Sequence, residues 1–310
     1  RHNALRAKGE GEAQDGPLGL FFGEQGGRPF DFAGGPLAHF RLLKLSAESH
    51  ALLVSLPAMC ADSRTLKNLV GELSHVYATL LEGDEPGGDE EALQYVQFSE
   101  WHNEILEGEE ADAGKTFWEE QRLADIRAPA LPLEEAPRPG PAAAASPAEA
   151  SGGEIDADTP RRVEAAAERL NVSSESLLLA CWQLLLWRLG GGADAVVVES
   201  LFDGRKYEEL SGALGLFANY LPMTLRVEAH APFSELARRA EQASGDAAAR
   251  QEYYTRESAG GLDPAPSVKF EYYMQPEGEH GGGVRFALTR QYVCLERFKL
   301  KLSATDTLGP

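Results

Sequence analysis

The apolar positions of this chain change period several times, and each change marks an element. Residues 40–45 and 51–56 form two short apolar runs separated by Ser46, Ala47, Glu48, Ser49 and His50. That pattern predicts an antiparallel hairpin closed by a loop of about five residues. The period then becomes helical: Leu66, Leu69, Val70, Leu73, Tyr77 and Leu80 fall on one stripe, with His75 off it as a solvated position. The stretch between, 55–66, reads as a strand end, a tight turn and a helix N-terminus capped by Asp62 or Ser63. Tyr95, Phe98, His102, Ile105 and Leu106 mark a second helix, with Trp101 beside them, and Phe117 and Trp118 sit on a short third one.

In the second half, Thr159 followed by Pro160 predicts a capped helix start, with Val163, Ala166, Ala167 and Leu170 on one face. Ser173 caps the next helix, whose residues 177–189 are apolar nearly all round and so predict a central element. Gly190, Gly191 and Gly192 end it. Ala195, Val196, Val197 and Val198 then read as a buried strand. Another strand is predicted at 224–227, and an amphipathic helix opens at Pro232 and Phe233. Strands at 268–274, 284–288 and 298–302 follow; the last alternates Phe298, Leu300 and Leu302 against Lys299 and Lys301, a half-exposed pattern. Strands and helices do not alternate regularly, which predicts α+β layers over a doubly wound parallel sheet.

Composition adds a division. Residues 129–155 are dominated by Pro, Ala, Gly and Ser and read as a linker between 1–128 and 156–310. A chain of 310 residues is long enough for two core-bearing halves. The net charge of -20 points away from nucleic acid and from anionic membrane surfaces, which need clustered Lys and Arg. No apolar run approaches the ~20 residues of a membrane span, and the first residues lack the apolar core of a signal peptide. Cys60, Cys181 and Cys294 are odd in number and far apart, so neither disulfides nor a zinc site is expected and a cytoplasmic setting is the simplest reading. The histidines show no metal spacing; His102, on its helix's apolar stripe, reads as a packed core residue.

Several stretches, in order, carry a resemblance. Arg1, His2, Leu5 and Arg6 fit an Arg-His-x-x-Leu-Arg segment, and Pro29, Phe30, Asp31, Gly35, Pro36 and Leu37 fit Pro-Phe-Asp…Gly-Pro-Leu. Tyr95, Phe98 and Trp101 with Phe117 and Trp118 fit Tyr-x-Asp-Phe-x-x-Trp…Tyr-Trp. Gly204 and Arg205, then Gly215, Phe217, Asn219, Leu221 and Pro222, fit Gly-Arg and Gly-x-Phe-x-Asn-x-Leu-Pro. Arg297 and Phe298 open a segment like Lys-Phe-Asp-Leu. Together these resemble the condensation domains of nonribosomal peptide synthetases, in the chloramphenicol-acetyltransferase-like superfamily.

The resemblance implies two acetyltransferase-like lobes in a V-shaped pseudo-dimer, both truncated in this chain, which opens without Met and is expected to be a fragment. It implies amide formation between a thioester and an amine delivered on the phosphopantetheine arms of two carrier proteins, with no bound cofactor of its own. Carrier domains upstream and downstream, and an adenylation domain in the same polypeptide, are the implied partners. The family's His-His-x-x-x-Asp-Gly motif, whose second His deprotonates or positions the amine, aligns here on Pro57, Ala58, Asp62 and Ser63. Alanine can do neither. The motif's Asp is structural in the family, which implies an ion pair between Asp62 and Arg205. Cys60 and Asn219 are candidate tunnel-lining residues, Cys60 either as an activated thiol or as a small apolar residue, Asn219 either there or as a turn residue. Two readings stay open: amide formation without the histidine, through the orientation of tethered reactants, or a catalytically silent module that docks carriers or recruits a partner enzyme.

Overall fold

The computed structural model describes residues 6–7, 21, 28–87, 93–109, 111–121, 123, 131, 149–150, 155–156, 158–192, 195–228, 230–256, 267–275 and 278–307. Most of the 129–155 linker and of the Arg1–Arg6 motif lies outside them. A short parallel pair joins β1 (Arg6–Ala7) to β4 (Glu149–Ala150). The first hairpin runs β2 (His39–Lys44) to β3 (His50–Ser55), one residue earlier than the apolar runs predicted, with Lys44 opposite His50 and a five-residue loop.

Helix α1 (Ser63–Glu82) follows, capped by Asp62 and closed by Gly83 at φ 85°, a left-handed stop that suits glycine. Its stripe behaves differently from the periodic reading. The fully buried positions are Thr65 and Ser74, while Tyr77 and Leu80 are exposed. The reason is tertiary: a second hairpin, β8 (Glu279–Gly281) and β9 (Val284–Phe286), turns through Gly282 and Gly283 and lies against the Ser74 side of α1. A Cβ on Gly281 would come within 2.2 Å of the Ser74 carbonyl oxygen, so only glycine admits this approach.

The main sheet has the order β10-β7-β5-β6. Strands β5 (Ala195–Phe202), β7 (Ser267–Gln275) and β10 (Phe298–Thr307) are parallel, and β6 (Asn219–Arg226) is antiparallel to β5. β6 starts five residues before the predicted strand and carries Pro222, which an edge strand accommodates because no partner needs its missing N–H. One sheet face is apolar: Val196, Val198, Leu221, Met223, Val268 and Phe270 pack with Leu179 and Leu186 of α5 (Ser174–Leu189) and Ala247 of α6 (Phe233–Ala249). Buried side chains of this kind contribute about 1.5–3 kcal/mol each. Trp118 of α3 (Ala111–Glu120) enters the same core, stacking edge-on with Tyr254 and donating to the Arg250 carbonyl oxygen at 2.9 Å.

Two sequence readings change in this layer. α5 is not buried all round: Leu185, Leu189 and Cys181 are exposed, because only one side meets the sheet. Helix α4 (Asp158–Leu170) is capped not by Thr159 but by Asp156, whose carboxylate accepts from the backbone N–H groups of Asp158 and Thr159 and from the Thr159 hydroxyl.

At the start of α5, Ser173 accepts from the Ser176 N–H, and both its own N–H and its hydroxyl donate to Glu241 at 2.7 Å. Burial, then the Glu241 charge, push the neighbouring Glu175 carboxyl up to about 7. A folded value above the unfolded 4.5 means that the folded state holds its proton longer. Stability is then full below 4.5 and declines as pH rises towards 7. Glu175→Gln is expected to flatten that decline, read as thermal midpoints between pH 4.5 and 7.5.

Candidate functional site

Strand β3 delivers the chain to a turn in which the Cys60 N–H donates to the Pro57 carbonyl oxygen at 2.9 Å. Pro57 is buried; Ala58, Met59 and Cys60 are exposed. Cys60 is a free, exposed thiol, so the buried apolar reading of this cysteine does not hold. After the turn the backbone dives inward: Ala61 and Asp62 are buried and Ser63, the first residue of α1, is half-buried.

Asp62 is fully buried, and its carboxylate accepts five hydrogen bonds. Oδ1 takes the Thr65 N–H at 2.8 Å and Arg205 Nη2 at 3.1 Å; Oδ2 takes Arg205 Nη1 at 2.9 Å and the N–H groups of Phe217 and Ala218 at 2.9 and 3.0 Å. The guanidinium is as deeply placed, with 1% of its side chain exposed. It also donates to Asp203, to the Thr65 hydroxyl and to the carbonyl oxygens of Ala213 and Gly215, and it lies over the Phe217 ring at 4.3 Å. Burial pushes the Asp62 carboxyl up, but the hydrogen bonds and charge of Arg205, with the N–H groups of Thr65 and Ala218, outweigh it and hold the carboxyl below its ordinary 3.8. With its oxygens committed, Asp62 is an anchor and has no capacity left to act as a base.

Thr65, which sequence reading passed over, completes the anchor. Its hydroxyl donates to the Gly215 carbonyl oxygen at 2.6 Å and accepts the Gly215 N–H at 3.0 Å. Asn68, one turn on, donates to the Ser211 carbonyl oxygen at 2.8 Å. Gly204, at φ 77°, lets the chain turn into Arg205 where any Cβ would meet the Phe217 carbonyl oxygen at 2.0 Å. The first turn of α1 is thereby pinned to the 204–218 segment. Asn219 is half-buried at the start of β6, opposite Phe202. Nearby, α2 (Tyr95–Glu107) closes the region with aromatic side chains: Tyr95 and Phe98 pack on Phe217 at 5.3 and 4.7 Å. His102 stacks on Phe98, its Nε2 2.9 Å from the Glu252 carbonyl oxygen.

Beside the anchor, the second face of the main sheet carries charge. Lys269, fully buried, donates to Glu199 and Glu296 at 2.7 Å each and lies over the Tyr220 ring at 3.6 Å. Glu271, 2% exposed, accepts from Tyr220, from Lys301 at 2.9 Å and from Ser303 at 2.7 Å. Burial, then the Glu271 charge, push the hydroxyl of Tyr273 on the same strand up. On β10, Lys301 turns toward this network while Leu300 and Leu302 are exposed. The sequence signal was present: Glu199, Lys269 and Glu271 interrupt apolar strands at alternate positions, which puts them on the face opposite Val198, Val268 and Phe270. Among the described residues no group of three or more His, Cys, Asp and Glu side chains is placed to hold a metal ion. None of the described helices is long and apolar enough to cross a membrane.

A family model described as Condensation domain matches residues 5–258. This chain belongs to the condensation-domain family. Family members form an amide bond between carrier-bound substrates in nonribosomal peptide synthetases. The chain is 32% identical over 251 residues to phosphinothricin tripeptide synthetase PhsB of Streptomyces viridochromogenes, covering 80% of this chain and 20% of that protein. It is 27% identical over 230 residues to tyrocidine synthase 2 of Brevibacillus parabrevis, covering 73% of this chain and 6% of that one. It therefore spans a small part of the curated relatives it matches. Among solved structures, the condensation domain of the monacolin K polyketide synthase MokA overlays with a TM-score of 0.73 at 20% identity, over 98% of this chain and 70% of that chain. The X-domain and OxyB complex from teicoplanin biosynthesis gives 0.71 at 21% identity, over 97% and 66%. These overlays give the condensation domain a mixed helix and sheet fold of the acetyltransferase-like kind.

Proposed function

We propose that this condensation domain joins an acyl or aminoacyl thioester to an amine, each held on the phosphopantetheine arm of a carrier protein, as one step of nonribosomal peptide synthesis. What supports the reading is the family match over 5–258. In this reading 1–128 and 156–310 are the two acetyltransferase-like lobes of a V-shaped pseudo-dimer, and the arms enter a tunnel between them from carrier domains upstream and downstream. An adenylation domain in the same polypeptide loads one carrier. The residues of the anchor act structurally, since Asp62, Arg205 and Thr65 fix where Pro57 and Ala58 sit relative to the 204–218 segment. Asn219 lines the tunnel as it leaves that segment, and Cys60 lies at its edge.

Ala58 supplies no base, and the chemistry tolerates that. Holding two tethered reactants in an attack geometry is worth up to about 7–11 kcal/mol of barrier, and a neutral α-amine is already a nucleophile. Synthesis of dipeptidyl thioester from donor- and acceptor-loaded carriers tests the proposal. Wild type is expected to give product, and Ala58→His to raise its rate by about 10²–10⁴-fold, the range of general base catalysis. Product from Ala58→His alone, with none from wild type, would move the chain to the silent docking reading.

A further inference from the structure

Residues 287–297, between β9 and β10, have no regular secondary structure, and none of them enters the apolar clusters formed by the described residues. Polar contacts fix the second half of this stretch to the charged face of the main sheet. Glu296 Oε2 accepts from Lys269 Nζ and from Arg256 Nη2, at 2.7 Å each. The Val293 carbonyl oxygen accepts from Lys301 Nζ at 2.9 Å, and the Cys294 thiol donates to the Glu296 carbonyl oxygen at 3.4 Å. On either side the chain is tied down differently: Phe286 of β9 lies edge-on to Tyr77 of α1 at 5.6 Å, and β10 pairs with β7.

Releasing this stretch strands no buried charge. Lys269, fully buried, keeps Glu199 at 2.7 Å, and Lys301 keeps Glu271 at 2.9 Å, both within the sheet. Glu296 and Arg256, with 32% and 45% of their side chains exposed, turn to water instead. The closed network holds two cations against two carboxylates, and the open one holds Lys269 against Glu199, so each arrangement is neutral. The Asp62–Arg205 pair is built the opposite way, since opening it would leave a buried carboxylate without its cation. Closure also shuts Gln291 Oε1 from water with no hydrogen-bond partner among the described residues, a cost that opening relieves. We infer that 287–297 is a latch. It closes when Glu296 seats on Lys269, and it opens while the sheet stays folded, uncovering the charged face beside the anchor. Two charge-balanced arrangements of one segment are what a switching element requires. The latch stands whether or not the domain forms amides, and its test uses no carrier.

Cys294, half-buried inside the latch, reports its opening through alkylation by iodoacetamide. Cys60→Ser and Cys181→Ser first remove the two exposed thiols. In that protein Cys294 is expected to react more slowly than in the urea-unfolded chain. Its rate should rise only shallowly with added urea, because opening a short stretch exposes far less surface than global unfolding. Adding Glu296→Ala is expected to speed the reaction about 10- to 100-fold, the worth of a charge-assisted hydrogen bond. The urea slope should stay shallow, which separates a released latch from a merely less stable fold. A slope as steep as that of global unfolding would overturn the latch, since 287–297 would then open only with the whole domain. So would a rate equal to that of the unfolded chain, which would mean the stretch is never closed. Equal rates with and without Glu296→Ala would remove Glu296 as the catch and overturn the proposal as well.

Discussion

Arg205→Ala is expected to lower the unfolding free energy by about 3–5 kcal/mol, the cost of leaving one charge of a buried pair without its partner. The loss follows from how the pair is built. Asp62 is fully buried and Arg205 nearly so, which means that neither can turn to water when the other is removed. The Asp62 carboxylate would keep three backbone N–H donors but lose both guanidinium contacts. Urea unfolding of the variant should show a lower midpoint with an unchanged slope. Added salt should change the wild-type midpoint little, because a pair with so little exposure is screened far less than a surface one. Asp62→Asn is the milder companion. It keeps an oxygen for the Thr65 N–H and loses the charge.

Lys269→Met should cost a similar amount, about 3–5 kcal/mol, since it removes the buried ammonium that pairs with both Glu199 and Glu296. Arg256 softens the effect little, and Glu296, a second carboxylate that loses the same ammonium, does not soften it. Glu296 sits at the rim and already pairs with Arg256 at 2.7 Å, whereas Arg256 reaches Glu199 only at 4.0 Å. Adding Glu199→Leu to Lys269→Met is expected to recover most of the loss, because replacing both charges by apolar groups of like size is often neutral or stabilising. A double-mutant cycle on the unfolding midpoint measures the coupling. Should Lys269→Met prove neutral by itself, the charged face would be reaching water in solution and the buried Lys269–Glu199 network would not exist.

The two halves of the motif region were not equally legible. That Asp62 caps α1 can be read from its place before a periodic run, and the Asp62–Arg205 pairing was implied by resemblance alone. Nothing local could show that Thr65 and Asn68 would bond to carbonyl groups 143 to 150 residues away. Nor does a helical period say which side of α1 will be covered. The stripe of Leu66, Leu73 and Tyr77 left Ser74 out, yet the β8–β9 hairpin buries Ser74 and meets only the edge of Tyr77, through Phe286 at 5.6 Å. The charged sheet face was visible as an irregularity, in lysines and glutamates inside apolar strands, but assigning partners to them needed the register that sets Lys269 opposite both Glu199 and Lys301.

By itself the sequence determined most of the order of strands and helices, the mixed α+β class and the family through its ordered motifs. These are local or additive signals, carried by period, capping chemistry and spacing. Only the tertiary structure decided that Cys60 is exposed and that Thr65 and Asn68 belong with the Asp62 anchor. Those outcomes depend on contacts between segments more than a hundred residues apart. A side chain's neighbours across such a distance are set by sheet register and packing, which no single stretch of chain encodes.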